Sequence, residues 1–189
     1  SLTYPLVAAI VSHGANDVVD LAAFAQGQAV MFVIGAFGGG LITTGMVFGR
    51  DIEGFNAFRR LNQMLCVTLV AVQALVCFPP FDDIVFRLVL GLAEPLADVA
   101  RDVLMLSIPM QVLFFFRNMS LVALYNARAS MAANFATLFR IGLTLMLVPI
   151  FLRLGWCGHR MGVLAMTVPV GVEAGLTHLF ARPWIRALE

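Results

Sequence analysis

Four polar residues lie where an apolar chain should carry none. Arg117 and Asn118 fall inside the apolar run 103–125, Arg140 inside 132–152, and Glu173 near the middle of 161–180. A charge at the centre of a membrane helix costs roughly 2.5–3.5 kcal/mol on insertion scales. A helix that only anchored a protein would not carry one. The default reading is a polar pathway or binding site inside a helical bundle. Arg117, with Asn118 beside it, offers a permanently charged planar fork that takes a carboxylate or phosphate bidentately. The alternative is a structural ion pair with Glu173 that ties two helices together. Arg140 is a second candidate anion ligand, or it snorkels from one helix end. Glu173 has Thr177 one turn below it. It is a partner for either arginine, or a protonatable coupling group.

A second set lies at the end of the first apolar run. His13, Asn16, Asp17 and Asp20 are spaced i, i+3, i+4, i+7 and would form one polar stripe on a helix. Two acids a turn apart in a low dielectric cannot both ionise cheaply, so one would hold a proton near neutral pH. That is how a proton-coupled site is built. The alternative is a helix end emerging into water, with Asp17 and Asp20 merely solvated.

Other chemistry finds no support in the motifs. Gly38-Gly39-Gly40 lacks the preceding strand and following lysine of a phosphate loop. Within a span it would permit close helix contact or a flexible break. Cys66, Cys77 and Cys157 show no metal or redox spacing and read as packing residues. No Ser/His/Asp or Cys/His set suggests a nucleophile, so neither an enzyme, a cofactor nor a metal is expected.

The elements that must position these residues are membrane helices. The chain has 189 residues, 61% of them hydrophobic and 12% charged, with mean hydropathy +0.93. A soluble domain is nearer 45–50% apolar and about 25% charged. Net charge is +1, which does not point to nucleic acid. All twelve basic residues are arginine. A span needs about 20 mostly apolar residues. The pattern predicts six, over about 2–19, 21–48, 63–78, 103–127, 132–154 and 161–180, with a polar loop at 50–62. A short interfacial helix is expected at 84–92, and a kink at Pro109. Residues 1–187 form a single domain. Six spans put both termini on one side, with Arg50, Arg59, Arg60, Arg128, Arg182 and Arg186. Arg87, Arg101, Arg153 and Arg160 fall on the other. That bias favours cytoplasmic termini, in the inner or plasma membrane of a prokaryote.

The order of these elements resembles one lobe of the MATE and lipid-flippase transporter superfamily. Pro5-Leu6, then Val18-Val19-Asp20, Leu21-Ala22-Ala23, a Gly-rich second span and a basic loop carry the likeness. Residues 104–182 are closer to the progressive-ankylosis branch, through Pro109, Arg117, Asn126-Ala127-Arg128, Phe139-Arg140-Ile141, Leu154-Gly155, and Gly171 with Glu173. The resemblance implies two six-helix lobes that rock around a central cavity. MATE-like members exchange cations for H⁺ or Na⁺. Ankylosis-like members are implicated in exporting citrate, nucleotides or pyrophosphate. Asp20 would match the first-helix acid of the pumps. Arg117, Arg140 and Glu173 would match charged positions of the ankylosis branch.

Two departures stand out. The family carries two lobes and this chain holds one, so it is a half-size protein or a fragment. The family also has roughly ten more residues between its first two helices, where a usual connection is about 4–6. Residues are therefore expected to be absent between Asp20 and Leu21.

The expectation is an all-α polytopic membrane protein of six transmembrane helices forming one MATE-like lobe. It would work in the lipid bilayer as a homodimer and export a small anion by alternating access. Arg117, Asn118 and Arg140 would bind the solute, and Asp17, Asp20, Glu173 and His13 would couple it to H⁺ or Na⁺. A cation or drug antiporter is the alternative in the same class, and a non-transporting scaffold the alternative in another. Transport predicts a wet cavity bordered by the charges. A scaffold predicts dry, one-to-one ion pairs.

Overall fold

The computed structural model describes residues 3–14 and 17–187, with Asp17 in its backbone only. Seven α-helices occur among these residues, and no strand. They are α1 (Thr3–Ser12), α2 (Asp17–Phe48), α3 (Ile52–Val76), α4 (Glu94–Leu106), α5 (Ile108–Asn126), α6 (Ser130–Arg153) and α7 (His159–Ala187). A π-helical segment, Asp83–Val89, stands between α3 and α4 where an interfacial helix was expected. Four stretches are long and apolar enough to cross a membrane: Val18–Phe48, Glu94–Asn126, Ser130–Arg153 and His159–Ala187. Large apolar side chains such as Val33, Phe37, Leu138, Met146 and Leu179 stand exposed on their outer faces. Apolar surface of that extent suits lipid, not water. The chain is an all-α protein built for a membrane.

Three boundaries differ from the sequence pattern, one of them at α4, which starts at Glu94 where the fourth span was expected from residue 103. The first helix ends at Ser12, and α2 begins at Asp17 instead of Leu21. Gly14 permits the turn. A Cβ there would stand 2.8 Å from the Cα of Gly158 and 2.8 Å from a carboxylate oxygen of Asp20. The chain must therefore pass the α6–α7 connection backbone to backbone. The third difference is α3, which starts at Ile52 inside the supposed polar loop. Asp51 caps it by accepting from the Gly54 N–H at 2.6 Å, and Glu53 sits in the first turn, favourable against the helix dipole. Phe55, Phe58 and Asn62 recur at helical spacing and are buried. The segment is polar on one face only, so composition alone mistook it for a loop.

The break between α4 and α5 follows from Pro109, which has no N–H to continue the ladder. The chain turns at Ser107 and restarts with proline in the first turn of α5. Neighbouring helices repair the break. Gln28 of α2 donates to the Ser107 hydroxyl at 2.9 Å, and Gln73 of α3 donates to the Leu104 carbonyl at 2.9 Å. Unpaired backbone groups are costly where no water reaches, which accounts for amides at these buried positions.

Helix α2 runs through Gly38-Gly39-Gly40 without a break. Its glycines instead set how closely it approaches α4 and α5. A Cβ on Gly27 would lie 2.6 Å from the Ala100 carbonyl, and one on Gly45 2.6 Å from Val122. Such close approach is the packing role small residues play in lipid. Helix α5 ends in a Schellman turn, with the Ala129 N–H on the Leu124 carbonyl (2.8 Å) and the Arg128 N–H on that of Tyr125 (3.0 Å). Arg128 occupies the left-handed position, φ 58°, where glycine is usual.

Candidate functional site: a shared carboxylate and a bridged histidine

Glu173 lies half-way along α7 and is 1% exposed. Three side chains converge on it. Arg117 of α5 donates through Nη1 to Oε2 at 2.8 Å. Arg140 of α6 brings Nε within 3.1 Å of the same oxygen, but its N–H does not point at it. Thr137, one turn before Arg140, donates its hydroxyl to Oε1 at 2.8 Å. Thr177 bonds the Glu173 carbonyl at 2.8 Å and so stays within α7.

Charge does not cancel here. Two guanidiniums share one carboxylate, so the local sum is 2 − 1 = +1. Each guanidinium carries about five N–H donors, whereas a carboxylate accepts about four hydrogen bonds. Arg117 Nε and Arg140 Nε are both buried without a hydrogen-bond partner. Two cavities are bordered by these arginine residues. One, of about 260 Å³, lies between α2 and α5 and is bordered by Arg117, Asn118, Gln111 and Phe114. The other, of about 190 Å³, is bordered by Arg117, Arg140, Thr144 and Pro169. Phe114 also carries the Arg117 guanidinium over its ring, 5.2 Å from the centroid. That is within cation–π range and holds the fork without using its donors.

The arrangement contains the expected Arg117–Glu173 pair between two helices and adds to it. The pair is neither one-to-one nor sealed from a cavity. Arg140 does not snorkel towards a helix end but turns inward onto Glu173. Asn118 points elsewhere. Its Nδ2 donates to the Gly38 carbonyl of α2 at 3.0 Å, so it ties α5 to α2 while bordering the larger cavity.

The first-helix stripe does not form. Because α1 stops at Ser12, His13 sits in the turn, exposed, with Nδ1 2.7 Å from the Ala9 carbonyl. Asn16 and the Asp17 side chain lie outside the described residues. Asp20 instead points into the bundle, 5% exposed, with Oδ1 3.2 Å from Nδ1 of His159 at the start of α7. The other imidazole nitrogen, Nε2, lies 2.9 Å from Oδ2 of Asp102 on α4. Arg160 donates to that same Asp102 oxygen at 2.8 Å. One histidine thus joins α7 to both α2 and α4. Since both ring nitrogens face carboxylates, a neutral imidazole could donate to only one of them. Both contacts are made by donation when the imidazole is charged, or when one carboxyl holds a proton.

The sequence reading gave no site role to His159 or Asp102, nor to Thr137 and Gln111. A signal for the first pair existed. His159-Arg160 opens a helix, where the dipole disfavours cations. Basic residues there call for an acidic partner, and Asp102 supplies it. Fourteen residues of α7 separate His159 from Glu173, about 21 Å of helix rise. The two clusters are therefore distinct sites on one rod. No group of three or more His, Cys, Asp or Glu side chains able to hold a metal occurs among the described residues.

No family model matches the chain, and neither a curated protein nor a solved structure matches it. The geometry alone carries the functional argument.

Proposed function

We propose that the chain is one lobe of an alternating-access transporter of the MATE and lipid-flippase type, which moves a small organic or phosphate-bearing anion past Arg117. In this reading α2, α3, α4 with α5, α6 and α7 are membrane-crossing rods, and the ten residues of α1 reach only part-way across as the described part of a sixth. A second copy covers the face of α2 that borders the larger cavity. The observation that carries the reading is the charge sum at Glu173. A buried +1 beside open volume is unstable without an anion, and two surplus guanidinium forks are donors of the right shape. A scaffold would gain nothing from the second arginine, since one carboxylate and one guanidinium already neutralise each other.

Cation exchange is the second reading. It is favoured by Asp20, a buried acidic side chain in contact with His159. The two readings separate in proteoliposomes. Labelled citrate, nucleotide and pyrophosphate are offered to the wild-type protein, Arg117→Lys, Arg117→Ala and Asp20→Asn. Anion uptake reduced by about ten-fold or more in Arg117→Lys supports the first. Uptake of all three anions unchanged in Arg117→Ala refutes it and leaves exchange at Asp20. Mass measurement in nanodiscs should give a dimer. A monomer that still transports would remove the second copy.

A further inference from the structure

The larger cavity has an apolar part and a polar side. Its walls are mainly apolar, with Phe32 of α2 and Phe114 and Phe115 of α5 standing around it. Its floor is α2 backbone. A Cβ on Gly38 would stand 3.0 Å from the Phe115 ring, so the glycine lets that wall close onto α2, while Gly39 beside it faces open space. The polar groups gather at one side. Arg117 is there, and Gln111 lies nearby, 2% exposed, with a buried Nε2 that has no hydrogen-bond partner. An unpaired buried amide costs free energy comparable to a lost hydrogen bond, and Gln111, whose amide rests on Gly35 of α2, gains by turning to an acceptor in the cavity it borders.

Charge sets the second limit. The surplus beside the cavity is a single positive charge, from two guanidiniums and one carboxylate. In surroundings this apolar, an anion of charge two or three would bring in charge that nothing nearby offsets, and burying it would be costly. A singly charged head on Arg117 and Gln111 leaves the site neutral. The remaining volume, about 260 Å³ in all, then has to be filled by something apolar and flat enough for the aromatic walls. We infer that the solute is an amphipathic monoanion, a carboxylate or phosphate diester on an aromatic body, and not a compact polyanion. This rests on the anion reading above and narrows it.

Equilibrium dialysis of the protein in nanodiscs separates the possibilities, with empty nanodiscs subtracted to remove partition into lipid. The probes are phenylacetate, acetate, citrate, pyrophosphate and phenethylamine. Phenylacetate should bind saturably, about ten-fold or more tighter than acetate, which lacks the ring. It should exceed citrate and pyrophosphate by a similar factor, and phenethylamine should not compete. Arg117→Lys should weaken phenylacetate by about ten-fold. Glu173→Gln raises the local sum to +2 and should move the preference towards phenylmalonate, a dianion with the same ring. Should Glu173→Gln fail to fold, the wild-type ranking decides alone. Citrate or pyrophosphate binding tighter than phenylacetate, and depending on Arg117, would overturn the monoanion inference and leave the anion reading standing. Equal binding of phenethylamine would overturn it by showing that the ring alone is held. No saturable binding of any anion would overturn both.

Discussion

Replacing Glu173 by glutamine should damage the protein more than removing either arginine that contacts it. Glutamine keeps the shape and can still accept from Thr137, but the charge is gone. Arg117 and Arg140 then face each other as like charges, 19% and 17% exposed at the side chain. Breaking a buried ion pair costs about 3–5 kcal/mol. Residual exposure of both guanidiniums puts this case near the lower end, about 3 kcal/mol. Arg117→Met is milder. Glu173 keeps Arg140 at 3.1 Å and Thr137 at 2.8 Å, and the remaining pair is neutral. The loss is one hydrogen bond to a charged group, about 1.5 kcal/mol. At roughly 2–4 °C per kcal/mol for a domain of this size, the shifts are about 6–12 °C against about 3–6 °C. Thermal unfolding in nanodiscs, followed by fluorescence of Trp156 and Trp184, would measure them. The double variant Glu173→Gln with Arg140→Met should recover about 1 kcal/mol of the single loss, because one orphaned cation is gone. A Glu173→Gln shift equal to or smaller than that of Arg117→Met would refute the shared-carboxylate account, as would a double variant that is additive.

Three further outcomes follow from the packing and the charges. Gly27→Ala should destabilise by about 1–3 kcal/mol, since its Cβ would meet the Ala100 carbonyl at 2.6 Å, whereas Gly39→Ala, with open space, should gain about 0.5–1 kcal/mol; denaturation of both variants in one detergent checks the contrast. His159→Phe leaves Asp20 buried without its partner and should cost about 1–3 kcal/mol, part of which Asp20→Asn should restore; no loss in the single variant would show that the bridge contributes nothing. In cells, Trp156→Cys should react with an impermeant thiol reagent while Arg59→Cys stays protected, placing the arginine-rich end in the cytoplasm; the opposite pattern would invert the orientation.

The charges were the most legible part of the sequence. Arg117, Arg140 and Glu173 could be picked out because each interrupts an apolar run, and pairing between Arg117 and Glu173 was one of two readings on offer. That all three meet on one carboxylate oxygen was not readable, because it depends on the rotational setting of α5, α6 and α7. The polar stripe failed for a similar reason. His13 to Asp20 has helical spacing, but Gly14 lies inside it and its contact with Gly158 is tertiary. A lone glycine in an apolar run does not announce a break. The start of α3 was legible after the fact, since Asp51 followed by Glu53 and spaced aromatics is a helix-opening pattern. Arginine content outweighed that pattern in the reading of 50–62 as loop.

Helix α7 can be considered as a lever. Its two clusters sit on either side of Pro169, which supplies no N–H to the Ala165 carbonyl and is followed by Gly171. Ten residues, about 15 Å, run from His159 to Pro169. A bend of about 10° at the proline would swing the His159 end by about 2.6 Å over that arm. Contacts of 3.2 and 2.9 Å to Asp20 and Asp102 would part, while Glu173, beyond the pivot, kept both arginines. One end of α7 can then move with its centre still held, a mechanical independence that the proposed alternating access would require.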